Sequence, residues 1–548
     1  MHDPAQTTNA INAWRESLGA KKVLDDALTL EKYGRTTQAD APQPSCVLYP
    51  ESTEEVQAIV QIASEHGVVV YPISCGKNWG YGDACAASDG AAIIDLGRMN
   101  KILEVNSELA YCVIEPGVTQ GQLYKYLQEN KTGLWMDATA AGPDSSLVGN
   151  TADRGFGHTR YGDHILTTCS MEIVLANGRV LNTGFGHYED ARAAQVYPYG
   201  AGPFMNGIFT QSNYGIITRI GLWLLPEPEA FEFFYFMVDD FAQIEDLVDR
   251  LRPLRMNGTL TTAIHIGNDF RVMTSTGHYP WDKTKETPLS PELRDDMREQ
   301  SMAKAWQGSG SISGSKSSVR AARKELKRAL KGLCRPRFLT DWKVDTAEAI
   351  ARNLVKIGLG RAFEWRMRIV RQNFDLLKGI PSSEPLRGAQ WRLRKPPEGI
   401  EDLRDINIGL YWVSPVMPML GSEPIAIQKI VEPIFHAHGF DMIVSFILLT
   451  ERSVVAIFNI AFDKTVAEEC QAASDCYDAM MKAIMENGYY IYRSGLQGMP
   501  KIKQRSSVYW DVATSLKRAL DPQDIIARGR YIDPLETTAS PTSQSSNP

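Results

Sequence analysis

The run from Tyr71 to Gly82, Tyr-Pro-Ile-Ser-Cys-Gly-Lys-Asn-Trp-Gly-Tyr-Gly, constrains this chain more than any other stretch. It follows the apolar Val68-Val69-Val70, which reads as a short buried strand, and sets Gly76, Gly80 and Gly82 around Asn78 and Tyr81. Glycine tolerates the tight backbone conformations that let successive N–H groups close on an anion. A dinucleotide pyrophosphate is one ligand for such a loop. A glycine-rich surface turn is the other reading, and the loop alone does not separate them.

Its neighbours place the loop in a nucleotide-binding arrangement. Val47-Leu48-Tyr49-Pro50 reads as a strand stopped by proline. Ser52-Thr53-Glu54-Glu55 reads as a helix start, with hydroxyls to cap and carboxylates in the first turn. Val56, Ile59, Val60 and Ala63 continue at helical spacing to Gly67, and Ala92 to Leu96 gives another strand. This strand, helix, strand order is α+β or α/β. Residues 110–118 read as a strand and 119–130 as a helix. A second small-residue loop runs from Ala138 to Gly157, where Gly142, Pro143, Ser145, Ser146 and Gly149 oppose a helix interior. Asn177-Gly178 marks a hairpin within 172–181. Pro226-Glu227-Pro228 marks a domain boundary. Beyond it, helical patterns at 240–253, 291–306, 317–332 and 464–486 alternate with strand-like runs at 233–238, 407–413, 442–450 and 454–461. The basic run from Lys316 to Arg337 reads as a solvated amphipathic helix or a docking surface.

Function classes narrow next. The 548 residues carry a formal net charge of -7, which argues against nucleic acid as the main partner. No apolar run reaches the roughly 18 residues of a membrane span, and the first residues lack a secretory pattern. The eight cysteines form no Cys-x-x-Cys pair and no zinc-ligand spacing, so reduced thiols in a cytoplasmic protein without a metal site are expected. The familiar G-x-G-x-x-G, Walker and H-E-x-x-H motifs are missing. Two separated small-residue loops instead imply a cofactor held by several loops at once. In Tyr489-Tyr490-Ile491-Tyr492-Arg493, an extended chain puts Tyr490 and Tyr492 on one face and Arg493 on the other. A bend there would join Tyr492 and Arg493 around an anionic ligand oxygen. Without the bend, the stretch is a strand with a buried tyrosine and a surface arginine.

Several blocks, in order, resemble the vanillyl-alcohol oxidase and p-cresol methylhydroxylase family of FAD enzymes. They are Ile73-Ser74 with Gly76 to Gly82, Ile94 to Gly97, Cys112 to Thr119, Ser146 to Asn150 with Arg154-Gly155, Tyr161 to His164, Glu172 to Gly178, and Phe209 to Asn213. Tyr492-Arg493, Ala519 to Pro522 and Gly529-Arg530 follow near the end. The match is dense over 45–226, sparse through the middle, and returns near 488–531.

The resemblance implies an α+β chain: a two-part FAD-binding domain of the p-cresol methylhydroxylase (PCMH) type with an inserted α+β substrate cap. The expected limits are 1–226 for the first FAD part, 227–500 for the cap, 501–535 for the second FAD part, and 536–548 for a disordered tail. It implies oxidation of a para-substituted phenol at the benzylic carbon, with Tyr81, Tyr492 and Arg493 around the phenolate. It implies FAD contacts from Ser74, Gly76, Lys77, Asn78, Ser146, Asn150, Asp153, Gly155, His158, Gly215, Ile217 and Arg530. The expected partners are a small aromatic substrate, oxygen or a c-type cytochrome as electron acceptor, and further copies of the chain in a homo-oligomer. Departures are equally specific. Leu410 stands where family oxidases carry a flavin-linked histidine, and Tyr411 beside it is the alternative for a tyrosyl link, so non-covalent FAD is expected. Ala138-Thr139-Ala140-Ala141 lacks the family aspartate, with Asp144 a little further on. These departures leave two competitors: an FAD enzyme acting on a non-phenolic alcohol, amine or biosynthetic intermediate, and a non-catalytic FAD-fold binding protein.

Overall fold

The three apolar strands Cys46–Leu48, Val70–Ile73 and Ala92–Asp95 lie parallel and buried on both faces, as continuous apolar runs require. With Val23–Leu24 at one edge they form a four-stranded sheet in the order Val23–Leu24, Cys46–Leu48, Ala92–Asp95, Val70–Ile73. This computed structural model describes residues 4–358, 360–397, 399, 402–503 and 507–535, so the tail expected at 536–548 lies outside the described residues. The connecting helix Thr53–His66 starts where Ser52 Oγ accepts the Glu55 N–H and stops at Gly67, whose φ is +65°. The outer edge of Val70–Ile73 is covered by the far end of the chain. Val70 N–H donates to Ile525 O, and Ala527 N–H donates to Val70 O, each at 2.8 Å.

A five-stranded antiparallel sheet stands beside the first, in the order Ile102–Asn106, Tyr111–Ile114, Ile216–Trp223, Thr168–Val174, Val180–Asn182. The Asn177-Gly178 turn closes its hairpin, with Gly178 at φ +76°. The second small-residue loop differs from expectation over its latter half. Ser146 Oγ accepts the Gly149 N–H at 3.0 Å and opens a one-and-a-half-turn helix, Leu147–Ala152. Pro143 lies before that helix, where it does no harm. Gly149 is required because a Cβ there would sit 2.2 Å from Ser74 Oγ, so the two small-residue loops touch.

The remainder builds a nine-stranded antiparallel sheet. Its path is Arg337–Leu339, Ala230–Val238, Trp306–Gly314, Ile264–Asn268, Ile443–Leu448, Ser453–Asp463, Pro415–Pro418, Tyr490–Ile491, with Ile408–Val413 also paired to Ser453–Asp463. The helices Ile244–Met256, Lys316–Ala329, Ser422–Ala437 and Ala467–Glu486 bury apolar stripes in its core. The helix expected at 291–306 ends at Ser301, and Trp306 begins a strand instead. Helices Asp341–Lys356 and Arg361–Leu376 pack on each other against a smaller cluster around Phe374. Among the described residues all eight cysteines are free, and no helix is long and apolar enough to cross a membrane.

Lys517 ties the last helix, Ser507–Leu520, to the rest. It is fully buried and donates to Asn213 O and Ile526 O at 2.8 Å and to Asp521 Oδ2 at 2.6 Å. Lys517→Met keeps the length but strands the Asp521 carboxylate. A loss of about 3–5 kcal/mol is expected, because removing one partner leaves a buried charge unpaired. Urea unfolding measures it, and a loss under about 1 kcal/mol would exclude this anchoring.

Candidate active site

Two cavities adjoin between the sheets. The first, about 340 Å³, lies where the 71–82 loop meets residues 145–153, 212–217 and 526–530. Ser74, Gly76, Lys77, Asn78, Ser146, Asn150, Asp153, Gly215, Ile217 and Arg530 all line it. Among the described residues, the backbone N–H groups of Gly76, Lys77 and Asn78 have no acceptor. The Ser74 hydroxyl is likewise unbonded and faces the cavity. Donors turned to a cavity without an internal partner are the arrangement that an anion-binding loop requires. Ile73, Leu96, Val148 and Leu410 supply apolar wall. Unpaired donors at one part and apolar surface at another fit FAD. Lys77 contributes through its backbone only, since its ammonium turns away to Asp402 at 2.5 Å, which Arg404 also grips.

Asp153 is the electrostatic centre. Its buried carboxylate accepts from Arg493 Nε at 2.9 Å, from Asn78 Nδ2 at 3.0 Å and from Arg530, and Arg493 Nη2, which donates to Asn78 Oδ1, lies 2.6 Å away as an ion pair. Burial alone would raise its pKa, but the two guanidiniums outweigh burial and hold it below the usual range. Two cations against one carboxylate leave a net charge of +1 inside the protein. Arg493 also lies over the Tyr81 ring, 4.3 Å from its centroid, and Arg530 donates to Tyr71 Oη at 3.0 Å. Sequence spacing brought none of these together. The strand Tyr490–Ile491 ends after two residues, and the bend that follows places Tyr492 and Arg493 on one site.

The second cavity, about 1050 Å³, opens from the first. Tyr81, Ala140, Arg271, Pro385 and Trp412 line both. Tyr492 lines the second and packs on Phe156, with centroids 5.4 Å apart. Tyr81 Oη lies 3.3 Å from Ser414 Oγ. Burial raises the Tyr81 pKa, only partly offset by Arg493, and burial together with Tyr81 raises that of Tyr492 well above 10. Both phenols are therefore neutral O–H donors at neutral pH.

Two expected placements change, those of His158 and Gly155, and the open alternatives at Tyr411 and Asp144 do not reach the site. His158 lies on the second cavity, not the first: its ring stacks on His265 at 4.6 Å, and its Nδ1 is 2.9 Å from Ala138 O. Burial lowers the pKa of both imidazoles, that of His265 far below 6.5. Gly155 does not line the first cavity; it supports Asn150, whose amide leaves no room for a Cβ. Tyr411 turns into the core against Phe462 and Tyr477, because the alternation of its strand aims Leu410 and Trp412 at the cavity. Asp144 is exposed.

Other functional groups escaped the sequence reading. Asp137 Oδ2 and Asn150 Oδ1 each lie 2.7 Å from a ring nitrogen of the buried His164, forming a carboxylate, imidazole and amide chain that ends on the first cavity. Burial disfavours the Asp137 carboxylate, but the His164 hydrogen bond outweighs it and its pKa is lowered. With Oδ1 so engaged, the Asn150 NH2 remains available. His164 stood in a matched block and was thus detectable; Arg271 fell in the sparse middle, with no signal.

Residues 44–184 match a family described as "FAD binding domain", and residues 434–531 match "FAD linked oxidases, C-terminal domain". The chain is 37% identical to a 1'-carboxy-chondrochloren decarboxylase of Chondromyces crocatus, over 95% of this chain and 96% of that protein. It superposes on substrate-bound p-cresol methylhydroxylase with a TM-score of 0.86, at 30% identity over 97% of this chain and 98% of that one. For 4-ethylphenol oxidase of Gulosibacter chungangensis, in complex with isoeugenol, the TM-score is 0.88 at 27% identity, again over 97% and 98%. The fold is thus the PCMH-type FAD-binding fold with a cap domain, and the chain belongs to the vanillyl-alcohol oxidase and p-cresol methylhydroxylase family of FAD-linked oxidoreductases.

Proposed function

We propose that this protein oxidises a para-substituted phenol at the carbon attached to the ring. The observation that carries this reading is the buried +1 charge of Arg493, Arg530 and Asp153, beside two neutral phenol donors that face the second cavity. Free phenol ionises near pH 10, so holding it as phenolate at neutral pH takes preorganised donors. Tyr81 and Tyr492 donate to the oxyanion, and Arg493 supplies the opposing charge. A phenolate pushes electron density to the para position and eases loss of hydride from the benzylic carbon. FAD, when bound, supplies the two-electron acceptor for that hydride. The donors of Ser74, Gly76, Lys77 and Asn78 would hold it at the phosphates, and Asn150 and Arg530 elsewhere on the wall. Non-covalent attachment is supported by Leu410, which has no nucleophile, and by Tyr411, which faces away.

A second reading shares this first oxidation and is favoured by the decarboxylase relative. The quinone methide left on the substrate is an electron sink. If the carbon next to the benzylic carbon bears a carboxylate, its C–C bond breaks and the electron pair restores the aromatic phenolate. CO2 leaves and a vinyl phenol remains. In the first reading water adds instead, giving an alcohol.

One experiment tests the shared step. Anaerobic mixing with 4-alkylphenols and 4-hydroxybenzyl alcohols is expected to bleach the flavin, and acid precipitation is expected to release it into the supernatant. No bleaching across the panel would move the protein to a non-phenolic substrate. A yellow acid pellet would overturn non-covalent attachment.

A further inference from the structure

We propose that Arg271 is the anchor for a carboxylate carried by the phenolic substrate. This inference rests on the phenol reading above and specifies its substrate class as hydroxyphenyl carboxylates. Arg271 stands in the first turn of helix Asp269–Thr276, where Asn268 Oδ1 accepts its backbone N–H at 3.2 Å and Asn268 Nδ2 donates to Met442 O. The backbone is therefore fixed, and the side chain reaches the junction of both cavities. Among the described residues its guanidinium donates no hydrogen bond and meets no carboxylate. The nearest acid along the chain, Asp269, is fully buried and already clasped by Arg294 at 2.8 and 2.9 Å. His265, facing the same space, is neutral and offers no charge.

Arg271 is half-buried, with its guanidinium on the cavity walls rather than against an internal partner, and burial lowers its pKa. The described residues lining the second cavity include no aspartate or glutamate, and of the acids lining the first, Asp153 is held by Arg493 and Arg530 and Asp83 by Thr36 and Thr37. Arg323, Lys327, Arg335, Arg337 and Arg366 add positive charge to the same wall. Arg323 is paired with Glu232, Arg366 donates to the Met302 and Met237 sulfurs, and Lys327, Arg335 and Arg337 are exposed, so solvent weakens the pull of those three. Of these cations, among the described residues, only Arg271 also lines the first cavity. A single planar guanidinium matches one carboxylate through two parallel hydrogen bonds. The phenol end is already served by Tyr81 and Tyr492 on that wall and by Arg493 on the first cavity. At about 1050 Å³ the second cavity also lies at the upper end of pockets for drug-sized ligands, roughly 300–1,000 Å³, and exceeds the needs of a simple alkylphenol.

Three matched probes that lack an oxidisable benzylic carbon test the assignment on the FAD-loaded protein. They are 4-methoxyphenol, phenoxyacetate and 4-hydroxyphenoxyacetate, each titrated against the flavin absorption spectrum and by calorimetry. The expected result is that 4-hydroxyphenoxyacetate binds about ten- to a hundred-fold tighter than 4-methoxyphenol, the range of a charged hydrogen-bonded pair. Arg271→Gln should abolish that gain with FAD content unchanged, and Arg271→Lys should keep part of it. The proposal is overturned if 4-methoxyphenol binds and the carboxylate adds nothing. It is also overturned if the gain survives in Arg271→Gln, or if that variant loses FAD instead. Arg271-dependent binding of phenoxyacetate without binding of 4-methoxyphenol would uphold the carboxylate anchor and remove the phenol reading. Binding of none of the three would remove both.

Discussion

Arg493→Ala is expected to slow anaerobic flavin reduction by 4-alkylphenols roughly 10²–10³-fold, the usual cost of deleting one preorganised oxyanion donor. The side chain does three things at once: it opposes the phenolate charge, covers the Tyr81 ring at 4.3 Å, and shares Asp153 with Arg530. Without it the cluster falls from +1 to zero, since one guanidinium then faces one carboxylate. Tyr81 and Tyr492 remain, but neutral donors alone do not offset the work of ionising a phenol in a buried site. Arg493→Lys should recover part of the rate, because it restores the charge without the fork that grips Asp153 through two nitrogens. The deficit should shrink for ring-fluorinated phenols, which ionise more readily and need less help. Stopped-flow reduction rates across such a series measure it. Equal rates in Arg493→Ala and the parent would place the phenolate elsewhere.

The second large effect is on stability. Asp153→Ala leaves Arg493 and Arg530 side by side, buried and unopposed, with Asn78 Nδ2 also losing its acceptor. Breaking a buried ion pair by removing one partner costs about 3–5 kcal/mol. Two cations sharing the lost carboxylate place this case at the upper end. The same linkage sets a pH dependence. The folded-state pKa of Asp153 is depressed, so its contribution is complete above the unfolded carboxylate value of about 4 and is lost as pH falls through the lower folded value. Urea unfolding at pH 7 and on stepwise acidification is expected to show parent and variant converging towards low pH. FAD content should fall in the variant as well, because Arg493 and Arg530 line the cofactor cavity. An unfolding free energy at pH 7 within about 1 kcal/mol of the parent's would refute the account.

Local chemistry made part of this architecture legible. The helix Thr53–His66 carries its cap and first-turn carboxylates in the sequence, and the Asn177-Gly178 hairpin announces itself. Trp306–Gly314 does not, for a physical reason. The sequence reading assigns no strand at Gly308 and Gly310, yet they face Phe236 and Phe234 across the strand pair, where a Cβ would lie 2.3 and 2.7 Å from the rings. Each glycine is a strand residue only because of a partner some 70 positions earlier. The site divides the same way. Tyr81 and the glycine loop are contiguous with their strand, and resemblance located Tyr492 and Arg493. No local pattern shows that Arg271 lacks a partner, since this depends on Arg294 having taken Asp269. Likewise Tyr411 and Leu410 differ in direction only through the strand alternation that a one-residue shift would reverse.

The closure of the first sheet by residues 525–527 has a consequence for biogenesis. When the glycine loop leaves the ribosome, the strand beside it still has an open edge, and that edge stays open through synthesis of the entire cap. Unpaired strand edges recruit other chains. The wall of the first cavity is therefore complete only once residues 526–530 have been made. A nascent chain halted inside helix Ser507–Leu520 would display a finished cap over a floor whose Val70 edge is still uncovered.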